Sequence, residues 1–127
     1  MQIETISTPD APQAIGPYSQ GVKTQGFVYT SGQIALDPAT GKLVEGSFED
    51  QVHRVFKNLQ AILTAGGSDF SRVIKATVYV TDIANFKALN AIYAIYFGEH
   101  KPARTTVEVP ALPKEGAEVE IDLIALA

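Results

Sequence analysis

The chain has 127 residues, no cysteine and a formal net charge of -4, with 46% hydrophobic and 19% charged residues. That length fits one domain, residues 1–127, whose core can bury roughly two-thirds of the unfolded-chain surface without staples. The same figures exclude disulfides and thiolate chemistry, and the spread of acidic residues leaves no basic patch for a phosphate backbone.

Gln2 to Ile6 is a predicted short strand. Pro9, Pro12, Gly16 and Pro17 then impose an irregular loop, because proline fixes φ and removes a donor. Gln20 to Thr24 and Phe27 to Leu36 read as strands separated by Gln25-Gly26, and Asp37 to Lys42 carries hairpin turn chemistry. Ser47 caps a helix, with Asp50 three residues on completing a capping box. Val52, Val55, Phe56, Leu59, Ile62 and Leu63 give that helix one apolar stripe, and Gly66-Gly67 stops it. Val73 to Val80 is a β-branched, buried strand. Asp82 caps a second helix with Phe86, Leu89, Tyr93 and Phe97 on one face, closed by Gly98. Arg104 to Val109 and Glu118 to Leu126 are the last strands.

The order β-β-β-α-β-α-β-β predicts an α+β domain, one mixed sheet with two helices on one face. Val28, Thr30, Ile34 and Leu36 form one phase of the third strand; Ile74, Val78 and Val80 form one phase of the fourth; Val119, Ile121, Leu123 and Ala125 form one phase of the last. The opposite phase of each strand mixes aromatic, aliphatic and polar groups. Such a face is too apolar for water alone, so it is expected to bury against other subunits as a dimer or trimer.

No apolar run approaches a membrane span, and Met1-Gln2-Ile3-Glu4 lacks the pattern of a signal peptide, so a cytoplasmic location without membrane or nucleic-acid partners is expected. The two histidines, His53 and His100, are far apart, which disfavours a histidine metal site. Neither a phosphate-cradling Gly-x-x-x-x-Gly-Lys-Ser/Thr loop nor a Gly-x-Ser-x-Gly elbow occurs. The candidates are polar residues on apolar elements. Arg104 opens a strand and can grip a carboxylate through two parallel hydrogen bonds; the plain alternative is a surface or ion-paired arginine. Glu120 can hold and activate a water; alternatively it is a solvated glutamate, and Glu118 and Asp122 share its phase. Ser31 and Gly32 offer a hydroxyl and close backbone approach, or a strand end and a packing contact. Tyr18 can cover a pocket or simply pack on the surface. Asn90, on the apolar side of the second helix, can steer a ligand or serve as a satisfied structural amide. The aromatic residues of that helix read as core.

Seven segments together resemble the RidA (YjgF/UK114) family over nearly the whole chain. They are Ala14-Ile15-Gly16-Pro17-Tyr18-Ser19-Gln20, Thr30-Ser31-Gly32-Gln33-Ile34, Lys75 to Val80 with Phe86 to Asn90, Pro102-Ala103-Arg104-Thr105-Thr106-Val107-Glu108-Val109 with Leu112-Pro113-Lys114, and Val119-Glu120-Ile121. The resemblance implies a chorismate-mutase-like fold assembled as a homotrimer with sites between subunits. It implies a 2-iminobutanoate/2-iminopropanoate deaminase that turns small enamines and imines into 2-keto acids and ammonia without metal or cofactor. Arg104 would bind the substrate carboxylate, and Glu120 would activate water with the help of the Thr106 backbone carbonyl. Tyr18, Ser31, Gly32 and Asn90 would shape the pocket. Many relatives carry cysteine where Thr106 stands, a departure that touches any thiol-dependent role and leaves the hydrolysis intact. The rival readings are a non-catalytic trimeric protein that binds small keto acids, and a ribonuclease, which the acidic balance disfavours.

Overall fold

In the computed structural model, which describes residues 2–127, Ser47 and Asp50 form the expected capping box. Met1, included in the expected domain and in the reading of the N-terminus, lies outside the described residues. The Ser47 hydroxyl accepts from the Asp50 amide while the Asp50 carboxylate accepts from the Ser47 amide, which starts α1 (Phe48–Ala65). Val52, Val55, Phe56, Leu59, Ile62 and Leu63 are all buried. The helix ends at Gly66, and Gly67 takes a positive φ of 82°. Asp82 caps a single 3-10 turn, Ile83–Asn85, which feeds into α2 (Phe86–Phe97), and Gly98 closes it at φ 60°.

The strands β1 (Glu4–Ile6), β2 (Gly21–Thr24), β3 (Phe27–Thr30), β4 (Val73–Val80), β5 (Ala103–Glu108) and β6 (Val119–Leu126) form one sheet in the order β1-β2-β3-β6-β4-β5. Among the described residues only β4 and β5 pair parallel, as a crossover through α2 requires; the other pairs are antiparallel. Both helices cover one face. Between them Phe56 packs against Phe70, Tyr93, Tyr96 and Phe97, with the Tyr96 ring stacked at 4.6 Å.

Two expectations about strands change. The third strand stops at Thr30 instead of continuing to Leu36. The Thr30 hydroxyl takes the Leu123 amide at 3.0 Å, in place of a backbone carbonyl. Beyond it only Gln33 re-pairs with Ile121, and Leu36 with Leu43 across the Asp37–Lys42 turn. In β4, Val73 is buried and Ile74 is 40% exposed, the reverse of the expected phase. A bulge causes this: Val73 pairs with Ala125 and Lys75 already with Ile124, so Ile74 is the extra residue.

The proline-rich loop is fastened by a residue whose role composition does not announce. Gln20 is 4% exposed. Its amide nitrogen donates to the carbonyls of Thr8, Ala11 and Pro12 at 3.0, 3.2 and 2.8 Å, and its amide oxygen accepts from the Thr8 amide at 2.7 Å. Gln20→Leu leaves those groups unpaired and should destabilise the fold by roughly 1–3 kcal/mol in urea unfolding. An unchanged midpoint would show that water replaces the amide at no cost.

Candidate functional site

Alternation along β6 buries Val119, Ile121, Leu123 and Ala125, so Glu120 and Asp122 emerge on the face away from the helices. Glu120 pairs with Tyr79 of β4, which pairs with Val107 of β5; that row lies on the open face. The Glu120 carboxylate sits directly over Gly32. A methyl group at position 32 would stand 2.5 Å from Glu120 Oε2, so only glycine admits this approach without displacing the carboxylate. Glu120, Gly32, Gln33, Tyr18 and Gln20 line a small cavity of about 120 Å³, closed by Ile15 and Pro113. Tyr18 reaches it from the loop that Gln20 fastens. Ser31 stands next to Gly32, and its hydroxyl donates to the Ser19 carbonyl, which ties the same loop to the end of β3.

Burial is the main cause that pushes the Glu120 carboxyl above the ordinary carboxylate range, and the charge of Asp122 adds to it. Burial alone raises Asp122. A larger recess of about 680 Å³ lies on the other side of the loop, sharing Tyr18 and Gln20. No acidic or basic side chain lines it, so volume does not mark the chemistry here.

The second group of candidates stands on the helix face. Arg104 pairs with Ala76, and Thr106 with Val78; both partners are buried under the helices. Arg104 Nη1 donates to Asn90 Oδ1 at 2.7 Å. Its guanidinium carbon lies 4.8 Å from the Tyr93 ring centroid and 5.3 Å from that of Phe86. The Thr106 hydroxyl and the Tyr93 hydroxyl are buried without a hydrogen-bond partner in the chain. Burial raises the Tyr93 pKa, against a smaller downward pull from Arg104.

One chain therefore gathers Tyr18, Gly32 and Glu120 in one cavity and Asn90, Arg104 and Thr106 in another place, on opposite faces of the sheet. Sequence reasoning missed Gln20 and Gln33 as lining residues. It also assigned the aromatic residues of α2 to the core; Tyr93 does pack against it, whereas Phe86 is 38% exposed, and both of these rings also face a cation. The signal was present as Phe86, Asn90 and Tyr93 at helical spacings of four and three. Among the described residues, no three His, Cys, Asp or Glu side chains cluster as a metal site, and no helix is long and apolar enough to cross a membrane.

Residues 8–127 match the family model described as endoribonuclease L-PSP. A RutC family protein of Pyrococcus horikoshii is 49% identical over 122 residues, covering 96% of each chain. The human 2-iminobutanoate/2-iminopropanoate deaminase is 46% identical over 121 residues, 95% of this chain and 88% of that one. Among solved structures, E. coli TdcF with bound serine superposes with a TM-score of 0.91 at 40% identity, covering 98% of each chain.

Both open-face carboxyls hold protons more tightly in the folded chain than in the unfolded one. Their contribution to stability is full below the unfolded values near ~4 and is lost as pH rises through the folded values. Asp122→Asn should therefore stabilise the protein relative to wild type at about pH 7, with the gain shrinking toward about pH 4, in urea unfolding. It should also lower the Glu120 pKa in a carbon-detected NMR titration. A Glu120 value that does not move would assign its shift to burial alone.

Proposed function

Because the chain belongs to the endoribonuclease L-PSP/RidA family, we propose that it is an imine deaminase acting on small 2-imino acids, 2-iminopropanoate and 2-iminobutanoate among them. The observation that carries this reading is the Glu120 carboxylate, half-buried, raised in proton affinity and set on Gly32 in a cavity of about 120 Å³. A carboxylate of that kind is a stronger base than one in water, and a cavity of that size suits a water molecule beside a small substrate.

In the proposed reaction, Arg104 holds the substrate carboxylate and Glu120 takes a proton from water as the water oxygen bonds to C2 of the imine. Glu120 passes that proton to the imine nitrogen, so the carbinolamine that forms carries hydroxyl and amino groups on C2. Glu120 then takes the hydroxyl proton and delivers it to the amino nitrogen as the C–N bond breaks with its electron pair on nitrogen; ammonia leaves and the former hydroxyl oxygen becomes the keto oxygen. Water is consumed and no redox change occurs, so positioning and proton transfer are sufficient. The serine bound to TdcF, itself a small 2-amino acid, is consistent with a carboxylate anchor in a relative of this chain.

The two groups must meet, and one chain keeps them on opposite faces. We therefore place the reaction between copies in a homotrimer: the open face of one chain, bearing Glu120, covered by a neighbour that brings Arg104. The apolar character of that face supports this, with Tyr29 38% and Leu126 43% exposed alongside half-buried Ile124 and Tyr79. The non-catalytic alternative needs Arg104 and not Glu120.

The test couples purified protein to a serine or threonine dehydratase and follows keto acid and ammonia above the buffer-catalysed background. Glu120→Ala should lower kcat by about 10²- to 10⁴-fold while keto acid binding persists. Arg104→Ala should raise KM by roughly 10-fold or more. Full turnover in either variant would refute the assignment. Co-assembly of the two inactive variants is the sharper measurement. For a site shared between copies, random mixing restores about a quarter of the wild-type centres, because each needs one intact residue from each partner. No recovery would place both residues in one chain's site or neither in any.

A further inference from the structure

Arg104 is the second residue of an edge strand and points to the helix side, where a long cation would ordinarily find apolar neighbours. The chain meets it instead with three side chains from one stripe of α2. Asn90 takes one N–H at 2.7 Å, and the Phe86 and Tyr93 rings lie 5.3 and 4.8 Å from the guanidinium carbon. Both rings are within the range at which a cation is attracted to an aromatic face. We propose that Phe86 and Tyr93 are positioning residues that clamp the Arg104 guanidinium, so that its unused N–H edge meets a ligand carboxylate in a fixed plane. This rests on the reading of Arg104 as the carboxylate anchor.

Three observations support a clamp over simple packing. Phe86 is 38% exposed, so its ring is not retained for core burial. Its position in the chain, one turn before Asn90, puts it on the stripe that faces the guanidinium. Tyr93 stays a neutral phenol, since burial raises it above its ordinary value, so its ring acts on the cation through the aromatic face rather than as a phenolate. A guanidinium free to rotate loses orientational entropy each time it captures a planar carboxylate; one already held loses less.

The experiment measures binding of 2-oxobutanoate, a stable carboxylate, to the assembled protein by calorimetry, beside the proton NMR shift of the Arg104 Nε–H. Phe86→Leu and Tyr93→Leu should each weaken binding by roughly 3- to 10-fold and relieve the upfield ring-current shift of that proton. Tyr93→Phe, which keeps the ring, should retain wild-type affinity and shift. Leucine variants that fold and bind as wild type, or that lose affinity with the Arg104 signal undisturbed, overturn the clamp. Wild-type protein that does not bind, or Arg104→Ala that binds equally well, overturns instead the anchor reading beneath it. Should Tyr93→Leu fail to fold, Phe86→Leu decides alone, since its ring is partly in solvent.

Discussion

Val119, Ile121, Leu123 and Ala125 of β6 are buried against the helix layer, and a strand cannot bury one phase without turning the other outward. Glu120 and Asp122 are the residues so turned. Because β6 lies between β3 and β4, well inside the sheet, the outward phase is not an edge bathed in water but a floor flanked by neighbours. Desolvation and mutual repulsion then raise the proton affinity of Glu120. A slip of one residue in this strand would send both carboxylates into the core, so the register that secures the fold also secures the acid.

The open side of that floor is completed from a segment with little regular structure. Gln20 gathers the carbonyls of Thr8, Ala11 and Pro12, Ser31 reaches back to Ser19, and Tyr18 lies between these two fastenings. The break in β3 after Thr30 is part of the same arrangement. The Ser31 amide still donates to the Gln20 carbonyl, Gly32 leaves the strand, and the missing side chain at position 32 makes room for the Glu120 carboxylate. On the other side, α2 both carries the crossover from β4 to β5 and supplies Phe86, Asn90 and Tyr93 against the Arg104 guanidinium. A single helix thus sets the direction of β5 and the surroundings of its cation.

Much of this was legible in the residues. Ser47 and Asp50 announced a helix start, Gly66-Gly67 its end, and the alternation in Val119 to Leu126 the buried phase, because each is a local rule with a local cause. The bulge at Ile74 was not legible: it depends on how β4 meets β6, and the residues around it are apolar on both phases. The early end of β3 depends on a hydroxyl of Thr30 reaching the amide of Leu123, 93 positions away. Gln20 read as the polar first residue of a strand, since an amide's partners lie in the folded loop and not beside it. Phe86 was assigned to the core, and the cation beside Tyr93 was missed, because helical periodicity records which face is apolar and not what lies across from it. The resemblance singled out Tyr18, Ser31, Gly32, Asn90, Arg104, Thr106 and Glu120 as candidates; their division between two faces of the sheet required the strand pairings.

That division has a consequence for behaviour in a cell. If the reaction centre forms between copies as proposed, a freshly made chain would own half of each of two different centres and the whole of none, and would be silent until it met its siblings. At low copy number, output would climb more steeply than abundance. One damaged copy would also disable a centre it shares with a sound neighbour, so a defective allele could be felt beyond its own share of the pool.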